Sequence, residues 1–141
     1  METKPKIIPT MAYKDAKKAI QWLCDAFGFE QKVVHDNEAG TVVHAQLTHK
    51  GSMIMLNSSN NGSEFSKFIK HPGEIDGFET QSPYIILGDD EIEAHYQKAK
   101  AHGAKIALEL KAEDYGGKNY TCYDLEGHLW SFGSYDPWEN N

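Results

Sequence analysis

A strand, a helix and three further strands can be predicted twice in succession along this chain. Asp15 and Asp90, each placed to begin a helix, lie 75 positions apart (90 − 15), and Gly28 and Gly103, each placed to end one, have the same spacing (103 − 28). One such unit cannot cover its own apolar face, so two related units that pack or pair are expected, with room for a ligand-sized concavity between them. The repeat therefore constrains the fold, but it does not specify a chemistry.

The pattern predicts an α+β protein built from two βαβββ modules within a single domain, residues 1–141. Module one covers about 5–57, a polar connector with one short helix covers about 58–81, and module two covers about 82–138. In the first module we predict strands at 7–13, 30–36, 41–50 and 52–57, and a helix between Asp15 and Gly28. In the second we predict strands at 83–87, 104–111, 118–124 and 128–135, and a helix at about 90–102.

Composition excludes several classes of partner. The chain has 14 Lys plus Arg against 21 Asp plus Glu, a net charge of −7, which disfavours binding to nucleic acid or to an anionic membrane surface. No apolar run approaches the roughly 20 residues that span a bilayer, and the start of the chain has no apolar signal core. We therefore expect a cytoplasmic protein in which the two cysteines, Cys24 and Cys122, are reduced and buried.

The run from Tyr115 to Gly133 resembles the closing hairpin of the glyoxalase/bleomycin-resistance family, also called the vicinal oxygen chelate superfamily. The segment Asp124-Leu-Glu-Gly127 stands where that family usually has Asp-Pro-Asp/Glu-Gly. The segments Val43-His44-Ala-Gln-Leu and Met53-Ile-Met-Leu56 resemble its PhnB-like branch. The resemblance implies two βαβββ modules that form an eight-stranded incomplete barrel around a cavity, and usually a homodimer. It does not imply one reaction, because the family includes lyases, isomerases, dioxygenases and drug-sequestering proteins.

Metal-using members of the family place one His or Glu on the first and last strand of each module. Those positions correspond, within a residue, to Ile8, Met55, Pro83 and Ser131, and none of these side chains is a credible metal ligand. We therefore expect no metal and no other cofactor. The alternative is a metal-dependent lyase or dioxygenase that uses shifted ligands, such as His44 with a glutamate.

The third predicted strand carries the sharpest polar pattern. Because side chains alternate along a strand, His44, Gln46 and Thr48 share one face. The repeat maps His44 to Asn119 and Gln46 to Thr121, so we predict that these four residues line the pocket. The alternative is that His44 is a half-buried strand residue satisfied by a neighbouring group.

Three further residues complete the predicted ligand-binding set. Met55 is placed toward the same concavity as Ser131, and a thioether suits a flat or greasy molecule. Lys118 follows two glycines at a loop mouth, where it either pairs with an anionic group of a ligand or is simply solvated. His128 is interpreted as a turn-and-strand residue. The other histidines are interpreted as surface or satisfied positions: His35, His49, His71, His95 and His102.

Two classes of function follow. The first is a metal-free protein that binds an apolar or aromatic small molecule, for sequestration or detoxification. The second is an enzyme, either metal-dependent through shifted ligands or an acid–base catalyst in which a carboxylate or hydroxyl sets the tautomer of His44. No catalytic residue is assigned from the sequence, and the expected partners are a small molecule and a second copy of the chain.

Overall fold

The computed structural model describes residues 4–139. These residues form two compact units, and the boundary between them in the sequence lies between Phe78 and Glu79. Each unit contains one α-helix and one four-stranded mixed sheet, as the repeat predicts. The unit boundary falls inside the predicted connector. That connector contains two short 3₁₀ helices instead of one helix, at Phe65–Lys67 and Pro72–Glu74. No helix within residues 4–139 is both long and apolar enough to cross a membrane.

The first unit has the sheet order β1-β4-β3-β2, with β1 parallel to β4 and the other neighbours antiparallel. Its elements are β1 (Thr10–Tyr13), α1 (Ala16–Phe27), β2 (Glu30–Asp36), β3 (Val42–His49) and β4 (Ser52–Ser58). The caps of α1 are those predicted, because Asp15 accepts a hydrogen bond from Lys18 N and Gly28 ends the helix at φ 84°. The helix packs on one face of the sheet through its buried residues, which recur at helical spacing: Ala16, Ala19, Ile20, Leu23, Ala26 and Phe27.

The second unit repeats this order as β5-β8-β7-β6. Its elements are β5 (Tyr84–Ile86), α2 (Ile92–Ala101), β6 (Lys105–Ala112), β7 (Lys118–Tyr123) and β8 (Leu129–Gly133). Three residues of α2 at helical spacing are buried, namely Ile92, Tyr96 and Ala99. Helix α2 begins at Ile92, close to the predicted start at about 90, after a turn in which Glu91 N donates to Gly88 O. Several strand ends also differ, β1 and β5 being shorter than predicted.

Candidate functional site

The polar alternation along β3 lies where the sequence predicts it. Ala45 and Leu47 are fully buried on one face, whereas His44, Gln46 and Thr48 are half-buried on the other. The face that carries Ala45 and Leu47 is therefore the apolar one. The polar side chains of β3 point away from the buried residues of their own unit. We call the surface made by His44, Gln46, Thr48 and Met55 the polar face of sheet one.

His44 has two polar neighbours on that face. The amide of Gln46 donates to His44 Nε2 at 3.0 Å, which in a neutral ring leaves the proton on Nδ1. His35 lies directly opposite His44 on β2, and their rings are near parallel with centroids 6.2 Å apart. The sequence interpretation gave His35 as a surface or satisfied position, and the residue is exposed. Its place opposite His44 does not follow from the 37–40 turn alone, because the β2–β3 pairing shifts register between His35 and Asp36.

Met55 lies at the centre of the same face. It is directly opposite Gln46 on β3 and beside Thr10 on β1, and its side chain is half-buried. A thioether at this position adapts to the shape of an apolar group more readily than a branched side chain does. The face thus combines a soft apolar centre with amide, imidazole and hydroxyl groups at its sides.

In sheet two, the predicted residues pair in the same register. Thr121 lies opposite Ser131, as Gln46 lies opposite Met55, and the hydroxyls of Thr121 and Ser131 are 2.8 Å apart. Both side chains are half-buried, and their strand neighbours Tyr120 and Phe132 are fully buried on the opposite face. Repeat-related positions therefore occupy equivalent places in the two sheets.

Asn119 and Lys118 lie at the start of β7. Asn119 is half-buried, and its Nδ2 donates to the hydroxyl of Tyr115 at 2.6 Å. The backbone N–H of Lys118 donates to Ser134 Oγ at 2.9 Å, while the residue as a whole is exposed. Asn119 is thus joined to the loop that precedes β7, and the Lys118 ammonium remains in contact with solvent.

Three tyrosines that sequence reasoning missed surround this end of sheet two. Tyr84 on β5 donates its hydroxyl hydrogen to Tyr135 O at 2.8 Å, and the rings of Tyr115 and Tyr135 meet edge to face at 5.1 Å. Burial, and to a smaller extent the nearby Tyr115, raises the pKa of Tyr84. The Tyr84 hydroxyl therefore stays protonated near neutral pH. Tyr84 could have been found by extending the repeat to the first strands, because it lies beside Ser131 as Thr10 lies beside Met55.

The four strand positions that could hold the family's metal carry poor ligands in this chain. Met55 N donates to Pro9 O, and Ser131 N donates to Pro83 O, each at 2.9 Å, so the two prolines are equivalent. The side chains beside Met55 and Ser131 are consequently those of Thr10 and Tyr84, rather than Ile8 and Pro83 as the sequence alignment placed them. Within residues 4–139, no group of three or more His, Cys, Asp or Glu side chains is arranged to hold a metal ion.

The family-like turn at Asp124 and the following His128 are structural. Asp124 is buried and accepts hydrogen bonds from the backbone N–H groups of Glu126 and His128 and from Trp130 Nε1, all at 3.0 Å. His128 is buried too, with its Nδ1 2.7 Å from Glu79 Oε1. These contacts fix the β7–β8 turn, in agreement with the interpretation of His128 as a turn-and-strand residue, whereas the role of Glu79 was not predicted.

Residues 8–132 match the profile of the Glyoxalase/Bleomycin resistance protein/Dioxygenase superfamily. With the two βαβββ sheets described above, this establishes that the chain belongs to that superfamily. The PhnB-like branch is a finer assignment that this match does not make.

Individual relatives agree with the family assignment. The chain is 26% identical over 134 residues to an uncharacterized protein of Mycobacterium bovis, Mb0911c, covering 94% of this chain and 85% of that protein. TioX from Micromonospora sp. ML1 superposes with a TM-score of 0.70 at 27% identity, over 92% of this chain and 94% of TioX. The fosfomycin resistance protein FosX from Listeria monocytogenes superposes with a TM-score of 0.73 at 14% identity, over 99% of this chain and 100% of FosX, which shows a shared fold.

Proposed function

We propose that this protein binds a flat, largely apolar small molecule by shape and a few hydrogen bonds, without the metal site that other superfamily members use. The observation that carries the proposal is the equivalent placement of half-buried polar groups on both sheets, Gln46 beside Met55 and Thr121 beside Ser131. The residues proposed to contact the ligand are His44, Gln46, Met55, Lys118, Asn119, Thr121 and Ser131.

The hydrogen bonds among these residues leave capacity for a ligand. In the Thr121–Ser131 pair, one hydroxyl donates to the other, so the second hydroxyl still has a hydrogen to donate. The amide of Gln46 has a second N–H and a carbonyl oxygen beyond its bond to His44. Such groups orient a ligand, while Met55 and the ligand's apolar surface supply most of the binding free energy through burial.

The family resemblance allows both binding and catalysis, and the side chains at the strand positions assigned to a metal favour binding. FosX has been crystallised with Mn(II) and a dihydroxypropylphosphonic acid. In this chain the strand positions that the family resemblance assigns to a metal, as the structure pairs them, carry Thr10, Met55, Tyr84 and Ser131. A divalent ion needs several imidazole or carboxylate donors, which these four residues do not supply. We place the protein with the PhnB-like branch on its two strand motifs, and assign it to sequestration or detoxification in the cytoplasm.

The proposal is tested with 2-naphthol, a neutral planar aromatic molecule with one hydroxyl, and 1-anilinonaphthalene-8-sulfonate, an anionic one. Binding is followed by fluorescence titration of the full chain. His44→Ala and Gln46→Ala are expected to weaken 2-naphthol binding about fivefold each, the equivalent of about 1 kcal/mol for one neutral hydrogen bond. Val43→Ala is the matched control, because Val43 precedes His44 on β3, is 37% exposed, lies at the register shift of the β2–β3 pairing and is not among the residues proposed to contact the ligand.

Two results would contradict the proposal. One is that neither probe binds at all. The other is that Val43→Ala weakens binding as much as His44→Ala does, which would mean that the effect of His44→Ala is not specific to the residues proposed to contact the ligand. Stronger binding of the sulfonate probe, lost in Lys118→Ala, would assign Lys118 to an anionic group of the ligand.

A further inference from the structure

Tyr84 places an aromatic ring on the face of sheet two that carries the hydroxyls of Thr121 and Ser131. In the parallel β5–β8 pair Tyr84 lies directly beside Ser131, which in turn lies opposite Thr121 on β7. Residues that are laterally adjacent in a sheet point to the same face, so these three side chains share one surface. Tyr84 is 41% exposed, whereas Phe132 on the other face is fully buried. The Tyr84 side chain is therefore outside the core and beside the proposed ligand contacts.

Gly133 leaves the space in which the Tyr84 ring lies. It is two positions after Ser131 on β8, so a side chain there would point to the same face as Ser131. A Cβ atom at Gly133 would lie 2.9 Å from both Cε1 and Cζ of Tyr84, which is closer than two non-bonded carbon atoms pack. The Tyr84 ring consequently crosses the end of β8 at the one residue that has no side chain to obstruct it.

The Tyr84 ring is held at both ends. Its Cβ is attached to the backbone of β5, and its hydroxyl donates to Tyr135 O at 2.8 Å, beyond the end of β8. A tyrosine has only two side-chain torsions that position its ring, so these two attachments fix the ring before any ligand arrives. Because the hydroxyl hydrogen is already donated, the group that Tyr84 offers to a ligand is the accessible part of its ring.

From this geometry we infer that Tyr84 is the aromatic platform of the proposed binding site, and that the ligand carries an aromatic ring that stacks on it. The inference rests on the proposed function and narrows the ligand from a flat, largely apolar molecule to one with an aromatic ring. An offset-stacked aromatic pair contributes binding free energy beyond that of the area it buries. A platform that is fixed in advance also loses little conformational entropy when the ligand binds.

The hydroxyl pair gives the stacked ring an orientation. Thr121 and Ser131 are 2.8 Å apart through their hydroxyls, and Ser131 is the strand neighbour of Tyr84. A polar substituent at the edge of the ligand ring can therefore hydrogen-bond to this pair while the ring itself lies on Tyr84.

The test compares 2-naphthol with trans-decahydro-2-naphthol, which has the same carbon skeleton and one hydroxyl group but no aromatic ring. Calorimetric titration of the full chain gives a Kd for each probe, and the ratio of the two Kd values measures the preference for the aromatic probe. Tyr84→Leu should reduce this preference about fivefold, whereas Tyr84→Phe, which keeps the ring, should leave it within about twofold of the native value. Phe68→Leu is the matched control, because Phe68 is an aromatic residue that is 85% exposed in the first unit.

Gly133→Ala tests the placement of the ring. The backbone of Gly133 does not have the positive φ that favours glycine, so alanine fits the strand and acts by displacing the Tyr84 ring. This variant should therefore also reduce the preference for 2-naphthol. In the Tyr84→Leu background the same substitution should leave the preference unchanged, because no ring remains to be displaced.

An unchanged preference in Tyr84→Leu, or an equal reduction in Phe68→Leu, would overturn the inference and leave the proposed function intact. A native preference in Gly133→Ala would overturn it too, and this variant together with Tyr84→Phe decides the question if Tyr84→Leu fails to fold. Absence of binding of both probes would contradict the proposed function itself, and this inference with it.

Discussion

Replacing Asp124 by alanine should destabilise the protein strongly, because its carboxylate fixes the β7–β8 turn and the largest buried ring of the core. Oδ1 accepts from the backbone N–H groups of Glu126 and His128, and Oδ2 accepts from Trp130 Nε1. Trp130 is fully buried, so its N–H would lose its acceptor in a place that water cannot easily reach.

The expected cost is about 3–5 kcal/mol of unfolding free energy. A hydrogen bond to a charged group contributes about 1.5–3 kcal/mol, and a buried donor left unsatisfied costs about 1–3 kcal/mol. The N–H of Glu126 is in a half-buried residue, where water can replace the lost acceptor, so most of the cost comes from Trp130 and His128. A loss of this size is a large part of the roughly 5–15 kcal/mol that stabilises a typical domain.

The assay is urea unfolding followed by far-UV circular dichroism. Trp130→Phe removes the indole N–H, so Asp124→Ala should cost about 1–2 kcal/mol less in that background than in the native chain. Asp124→Asn, which keeps one acceptor for the turn, should fall between the native protein and the alanine variant. A cost below about 1 kcal/mol for Asp124→Ala, or identical costs in the two backgrounds, would refute this account of the turn.

Three further predictions concern the assembly, the core and the thiol. Light scattering at tens of micromolar should give the mass of a homodimer, and a monomer there would contradict the expected assembly. Trp130→Ala should cost about 3–5 kcal/mol of stability whereas His44→Ala should cost less than about 1 kcal/mol; similar losses would place His44 in the core. Burial, and to a smaller extent the nearby Asp124, raises the pKa of Cys122 from 9.0 to about 12. Between these two pH values the thiol ionises in the unfolded chain but stays neutral in the folded protein, so the folded protein loses stability as pH rises from 9 toward 12. Thermal melts should show that the melting temperature falls less between pH 9 and about pH 12 in Cys122→Ala than in the native protein. An equal fall in the two proteins would contradict this role of the thiol.

The parts of the fold that depend on local patterns were predictable from the sequence. Asp15 and Gly28 mark the ends of α1 because capping and left-handed backbone are properties of single residues. The alternation at His44 and Gln46 identified the half-buried face of β3, since side chains alternate with a period of two. How the two units pack into a barrel remains a prediction from the resemblance, and a single domain remains a prediction from the length and composition of the chain.

The parts that the sequence did not reveal depend on pairing between distant residues. Tyr84 lies beside Ser131 because β5 and β8 form a parallel strand pair. The side chain of Glu79 contacts His128, which is 49 positions away in the chain. Neither contact follows from composition or spacing along one strand. The pairing of His35 with His44 is another such case, because a register shift between His35 and Asp36 separates it from the register that the short 37–40 turn would set.

The central claim is that this member of the superfamily binds its ligand without a metal, and a titration with 2-naphthol in the presence and absence of EDTA tests it most directly. The protein is expressed with zinc, nickel, manganese and iron available, so that any tightly held ion is loaded. We expect the same affinity with and without EDTA, and an affinity that falls about fivefold in Gln46→Ala under both conditions. Loss of binding in EDTA, restored by adding back one of these metals, would contradict the claim.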